Sequence, residues 1–320
     1  MIASIALTFA IVLGTTLLAG RPLIGLLRRI SFEQNAYEDA PQTHAKKTGT
    51  PTMGGVLFVI ALVAAFVADP GVATAALAVV GIGCGLVGFA DDYTSIRRGR
   101  NRGLSARVKF LATIVVAVVF LALANIAASD PGTIFTTGAA LGGVRLVVPF
   151  ALWWALGLLA ILATTHAVNL TDGLDGLAAG TIVPPLAVIS FFAWQIGATG
   201  VVYVDLALMA AVLGFLAFNR HPARVFMGDT GALLLGGVLA GSVVLTGTHL
   251  LLPLIGGVFA AEALSVIIQV AYFKTTHKRI FRMSPLHHHF ELGGWPETKV
   301  TARFWTASAL LSLAGAAIVR

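Results

Sequence analysis

The feature that most constrains this chain is its succession of apolar runs of about 20 residues, broken only by short polar segments. Such runs recur near residues 2–27, 52–68, 72–90, 108–128, 147–166, 176–196, 200–218, 231–247, 250–273 and 303–319. In water, ten such segments would leave almost no polar shell around the core. With 58% hydrophobic and 11% charged residues and a mean hydropathy of +0.91, lipid is the solvent that suits the chain. Each span is expected to be a helix, because an open strand in lipid leaves backbone groups without partners. The fold class expected is therefore an all-α integral membrane protein of about ten transmembrane helices, forming one polytopic domain over residues 1–320.

Charge placement sets the orientation. All of the 21 Lys and Arg except Arg145 and Arg320 fall in, or at the edges of, segments 28–51, 91–107, 167–175, 219–230 and 274–302. By the positive-inside bias these five segments are cytoplasmic, which puts both termini outside. The same placement argues against nucleic acid as a partner despite a net charge of +7. Residues 2–20 have no basic stretch before them and Arg21, Arg28 and Arg29 after them, so they read as a retained first span. Cys84 stands alone in an apolar run, which excludes an internal disulfide and a cysteine metal cluster. The outer segment 129–146 alternates small and β-branched residues and suggests a short hairpin. The glycines at 81, 83, 85 and 88 read as close helix packing.

The acidic residues carry the chemistry. Asp91 and Asp92 are adjacent at the end of an apolar run and repel one another unless a cation or shared proton intervenes. Mg²⁺ is the usual relief, since it favours carboxylate, water and phosphate oxygens. Segment 167–176 supplies Asn169, Asp172 and Asp175, and a helical turn over 172–175 would put both carboxylates on one face. Asp229 stands between glycines in F-M-G-D-T-G, downstream of Asn219, Arg220, His221 and Arg224. Three acid-bearing segments on one membrane face form a candidate site for phosphate chemistry. Segment 43–55 adds Lys46, Lys47, threonine hydroxyls such as Thr52 and a Gly-Gly opening a helix, all suited to phosphate. His287, His288 and His289 are better placed to hydrogen-bond a phosphate or base than to hold zinc, because adjacent residues seldom all ligate one ion. Glu262, deep in a span, reads as an acid paired inside the bundle. Asp205 is expected near the outer interface.

The motifs H-A-K-K-T-G-T-P-T-M-G-G (44–55), F-A-D-D-Y (89–93), G-L-S-A-R-V-K-F (103–110), N-L-T-D-G-L-D-G-L-A (169–178), F-M-G-D-T-G (226–231) and P-L-H-H-H-F-E-L-G-G-W-P-E-T-K-V (285–300) occur in that order. With them the chain resembles the phospho-N-acetylmuramoyl-pentapeptide transferase (MraY) family, within the polyprenyl-phosphate N-acetylhexosamine-1-phosphate transferase superfamily. The resemblance implies a ten-helix enzyme of the bacterial inner membrane, working in peptidoglycan biosynthesis with its active site on the cytoplasmic face. Its reaction would move phospho-MurNAc-pentapeptide from UDP-MurNAc-pentapeptide to undecaprenyl phosphate, giving lipid I and UMP with Mg²⁺ as cofactor. Carried over by motif, Asp91, Asp92 and Asp229 are catalytic, Asp91 being favoured for handling the lipid phosphate. Asp229, Asn169 and Asp92 are metal positions. Lys47, Thr52, Arg107, Asn169, Asp172, Asp175, Asn219, His287, His288 and His289 are substrate-binding positions, and the family suggests a homodimer.

Two departures stand out. Ser95 occupies the place of a family lysine, which leaves a phosphate contact either missing or supplied by Arg97, Arg98 or Arg107, and Ala232 replaces a usual serine. The rival within the superfamily is a WecA-like transferase using UDP-N-acetylglucosamine. A transporter would instead place its ionisable groups near mid-bilayer.

Overall fold

The computed structural model describes residues 1–30, 49–98, 103–128, 131–136 and 142–319. Its helices are α1 (Ile2–Ile30), α2 (Phe58–Ala68), α3 (Val72–Arg98), α4 (Ala106–Ala127), α5 (Phe150–Thr171), α6 (Leu177–Thr181), α7 (Val183–Gln195), α8 (Thr199–Asn219), α9 (Gly228–Thr246), α10 (Leu252–Ile255), α11 (Gly257–Thr276), α12 (Leu286–Glu291) and α13 (Glu297–Val319). Among the described residues nine stretches are long and apolar enough to cross a membrane, α6 and α7 together making one. A tenth apolar stretch, Gly54–Ala68, matches the expected second span but is shorter. The molecule is thus an all-α, multi-pass membrane protein.

α9 lies at the centre of the bundle, and every residue from Thr230 to Thr246 is buried. Glycines let its neighbours approach. A Cβ on Gly88 of α3 would lie 2.2 Å from the Asp229 carbonyl oxygen, and one on Gly55 would lie 2.1 Å from Gly231 Cα. On the α3–α9 face, Gly81 and Gly85 meet Val238 and Leu234, while Gly83 faces Val116 of α4. The packing role read from the sequence is the one these glycines have. By contrast α1, α4 and α13 expose large apolar side chains such as Leu18, Leu111 and Leu310, as lipid-facing helices do.

Several boundaries differ from expectation for local reasons. α3 continues past residue 90 to Arg98 because nothing after Asp92 breaks it and Arg97 and Arg98 suit a helix C-terminus. The Asp91–Asp92 pair therefore sits within the helix rather than at its end. α5 likewise runs to Thr171, placing Asn169 on a helix. Residues 172–176 form tight turns, so Asp172 and Asp175 do not share a helical face. Pro184 and Pro185 lack amide hydrogens, and the sixth span is accordingly split into α6 and α7. The last span begins at Glu297 rather than 303, and α12 occupies part of the expected loop before it.

Asp205 is wholly buried in α8, where Ser242 of α9 packs against it and donates a 2.7 Å hydrogen bond. The expected hairpin is present. β1 (Thr133–Thr136) pairs antiparallel with β2 (Arg145–Val147), Thr136 opposite Arg145, with an irregularity between Thr133 and Phe135. Chain order puts this hairpin, between the C-terminus of α4 and the N-terminus of α5, at the end of the bundle opposite Asp91, Asn169 and Asp229.

Candidate active site

The acid-bearing segments meet where the C-terminal parts of α3 and α5 approach the N-terminal ends of α4 and α9. At their centre is Lys109, a residue of α4. Its Nζ lies 2.5 Å from Asp229 Oδ2 and 3.2 Å from Asp91 Oδ1. Asn169 Nδ2 donates to Asp229 Oδ1 at 2.7 Å. The Leu104 amide donates to Asp91 Oδ1 at 2.8 Å, and a Cβ on Gly103 would lie within 2.6 Å of that carboxylate, so residues 103–104 wrap it closely. One ammonium thus serves two carboxylates. Unpaired, these would repel strongly at such range in a partly desolvated site.

Asp92 faces the other way, into the protein. Its Oδ1 accepts from the Asp229 amide at 3.2 Å, and its Oδ2 accepts from the Thr230 amide at 3.0 Å and the Thr230 hydroxyl at 2.7 Å. It caps the α9 N-terminus, where amides lack helical partners and a negative charge is favoured. Gly228 has φ +74, and a Cβ there would lie 2.6 Å from Asp92 Oδ2 and 2.7 Å from Thr52 Oγ1. Thr52 is buried in this wall. Its neighbours are fastened to the segment before α9 by bonds from Phe226 N to Pro51 O and from Gly54 N to Phe226 O.

The 172–176 turn forms a second group beside the first. Asp175 Oδ2 accepts from the Ala223 amide at 3.0 Å and lies 3.0 Å from His221 Nδ1. The Asp175 amide donates to Glu297 Oε1 at 2.6 Å, while Glu297 Oε2 is 3.4 Å from His221 Nδ1. Donor atoms of Asp175, His221 and Glu297 all lie within 4.8 Å of one another, a spacing compatible with a cation. Asn219 is buried: its Oδ1 accepts from the Gly176 amide and its Nδ2 donates to Val225 O. Asp172 is half-buried at the end of α5.

The three histidines occupy different environments. His287 is fully buried with Nδ1 3.1 Å from Glu262 Oε1. His288 Nδ1 is 2.8 Å from Glu291 Oε2. His289 Nδ1 accepts from the Arg282 amide at 3.1 Å, and its ring meets Phe281 edge-on. Arg107 is exposed at the start of α4. Lys47 and its neighbour Lys46 lie outside the described residues.

Reasoning from the sequence missed Lys109 as a site residue, treating it only as a charge at a span edge. A lysine just inside an apolar run was the available signal. It also missed His166, which is on α5 one turn before Asn169, stacks on Phe110 with centroids 6.0 Å apart and has a buried Nε2 without a partner. His221 and Glu297 joined the site only through the tertiary fold.

The profile of glycosyl transferase family 4 matches residues 74–247, which hold all three aspartates of the centre. The phospho-N-acetylmuramoyl-pentapeptide-transferase signature 1 matches residues 47–59. A phospho-N-acetylmuramoyl-pentapeptide-transferase of Geobacillus kaustophilus is 43% identical over 98% of this chain and 97% of its own length. Its counterpart in Heliobacterium modesticaldum is 46% identical over 96% and 95%. That of Bacillus subtilis is 44% identical over 92% and 91%. With such identity along nearly its whole length, the chain belongs to the phospho-N-acetylmuramoyl-pentapeptide-transferase family.

Proposed function

We propose that this protein transfers phospho-MurNAc-pentapeptide from UDP-MurNAc-pentapeptide to undecaprenyl phosphate, forming lipid I and releasing UMP for peptidoglycan synthesis. The observation that carries the reading is the convergence of Asp91, Asp229, Lys109 and Asn169 where four helix ends meet. A site there serves a lipid phosphate held at the interface and a nucleotide arriving from water. The positive-inside distribution supports the cytoplasmic face of the inner membrane, with both termini outside, and residues 1–320 acting as one domain. The family resemblance supports a homodimer.

In the net reaction an oxygen of the lipid phosphate bonds to the sugar-bearing phosphorus. The bond from that phosphorus to the bridging oxygen breaks, and UMP leaves with the electron pair. Several negative charges gather, so positioning and electrostatic neutralisation supply most of the acceleration. Asp91, held by the Leu104 amide, orients the lipid phosphate or takes its proton. Asp92 fixes Asp229 through the α9 N-terminus. The Asp175–His221–Glu297 group and Asn219 shape the nucleotide side, with His288 and His289 nearby in the chain's last cytoplasmic segment.

The donor set suits Mg²⁺: carboxylate oxygens of Asp91 and Asp229 crowd around a single ammonium and have capacity for a harder cation. Asp229 and Asn169 would hold it, and once bound it supplies neutralisation of the pyrophosphate oxygens. Both Asp92 oxygens are engaged with α9, which makes Asp92 a support for the metal site more than a ligand.

The test is UMP release by purified protein in lipid, offered undecaprenyl phosphate with either UDP-MurNAc-pentapeptide or UDP-N-acetylglucosamine. Turnover of the first alone is expected, lost with chelator and restored by Mg²⁺. Turnover of the second alone would establish the WecA-like reading.

A further inference from the structure

Glu262 has no place in the mechanism above, yet it is a fully buried acid within the span α11. Such a group is costly in lipid unless every lone pair is used. It is well used here. Glu262 Oε2 accepts from the Leu286 amide at 2.6 Å, and Oε1 accepts from the His287 amide at 3.2 Å and lies 3.1 Å from His287 Nδ1. Two turns along the same face of α11, Gln269 holds the other end of the segment. Its Oε1 accepts from the Ile280 and Phe281 amides, both at 3.0 Å, and its Nε2 donates to Phe281 O. The stretch bearing the three histidines is thus gripped at both ends by one helix.

The grip extends to the 172–175 turn. Among the described residues His287 Nε2 is buried without a hydrogen-bond partner, and a Cβ on Gly173 would lie 2.3 Å from it. The imidazole fills the space a side chain at 173 would take, between Asp172 and Asp175. A separate apolar cluster of Leu174, Leu177, Val300 and Phe304, with Leu286 and Phe290 packed on it, joins the same two segments. An amide at 262 would not do the carboxylate's work, because the Leu286 and His287 amides donate to separate oxygens and Gln offers one acceptor oxygen.

We propose that Glu262 is a positioning residue for the nucleotide side of the site: through His287 and Gly173 it sets the 172–175 turn and the histidine segment together. This rests on the transferase reading above. The experiment compares wild-type protein, Glu262→Gln and Gly173→Ala in lipid nanodiscs by UMP release, varying UDP-MurNAc-pentapeptide and undecaprenyl phosphate separately. Glu262→Gln is expected to raise the nucleotide KM by about tenfold or more, with the lipid KM within about twofold, as loss of an orienting partner does. Gly173→Ala keeps both members of the buried pair but pushes on the imidazole from the turn side, and it is expected to reproduce that selective rise, so the connection is read even where Glu262→Gln folds poorly. An unaltered nucleotide KM in both variants overturns the proposal. So does an equal rise in both KM values, or a loss of thermal stability alone. Wild-type protein that releases no UMP overturns the transferase reading itself, whereas active wild type with unaffected variants sinks only the positioning role.

Discussion

The Lys109 ammonium sits 2.5 Å from Asp229 Oδ2, joining residues 120 positions apart in the chain. It also reaches Asp91, so it holds the cluster together before any substrate arrives. The same position competes with a divalent cation for the same oxygens. Lys109→Ala is expected to lower turnover by about a hundredfold or more, the effect of removing one preorganised positive donor. It should also lower the Mg²⁺ concentration that gives half-maximal rate, because the carboxylates lose their internal cation. A Mg²⁺ titration of UMP release reads both numbers. A variant needing more Mg²⁺ than wild type would show that Lys109 assists the metal instead of competing with it.

Asp91 and Asp92 are neighbours with different work, and conservative changes separate them. Asp92→Asn places an amide among three donors from α9 and is expected to cost about 1.5–3 kcal/mol of stability as well as activity. Asp91→Asn should lose activity with little change in thermal midpoint, since Asp91 lies at the edge of the site beside Lys109. Differential scanning fluorimetry in detergent, paired with the transfer assay, checks the contrast. Equal destabilisation by the two changes would contradict it.

Gly88 tests the α3–α9 crossing. A Cβ there meets backbone, with the Asp229 carbonyl carbon at 2.3 Å and the Thr230 nitrogen at 2.6 Å, so the helices must part. Gly88→Ala is expected to cost about 1–3 kcal/mol and to misplace Asp229, abolishing most turnover. Gly14 of α1 has nothing within 4 Å of its would-be Cβ. Gly14→Ala should be neutral or stabilising by up to about 1 kcal/mol.

His249 supplies a pH dependence away from the centre. It lies in a short 3₁₀ turn between α9 and α10, edge-on to Trp153, with both ring nitrogens buried and unpartnered. Burial pushes its imidazole down from 6.5 to about 4. The unfolded chain therefore takes up a proton in a range where the folded protein does not, and stability is expected to fall as pH drops from about 6.5 towards 4. The full loss is about 3 kcal/mol, absent above about pH 6.5 and complete below about pH 4. Thermal midpoints from pH 7 to 4.5 should flatten in His249→Phe. An unchanged slope in that variant would assign the dependence to other groups.

Much of this site could be read along the chain because its parts lie in short contiguous motifs. Asp91–Asp92, the N-L-T-D-G-L-D-G turn and the F-M-G-D turn each announce chemistry by placing acids beside apolar runs, where an acid without a purpose is costly. Lys109 and His166 did not stand out in this way. Each is a single polar residue near a span end, where snorkelling lysines and packed histidines are ordinary. Glu262 was legible as a paired acid but its partner was not, since His287 is 25 positions away and meets it only when the α12 segment folds back on α11.

What the sequence by itself determined is the class of molecule and the part of its candidate site that lies in contiguous motifs. Apolar runs of span length admit only helices in lipid, because that follows from the solvent and not from packing. Tertiary structure decided how the carboxylates divide their work. Asp91 turns to Lys109 while Asp92, one residue on and so about 100° around the same helix, turns inward to cap α9. Which neighbour each meets depends on the α3–α9 crossing at Gly88, a contact between residues more than a hundred positions apart that no local pattern encodes.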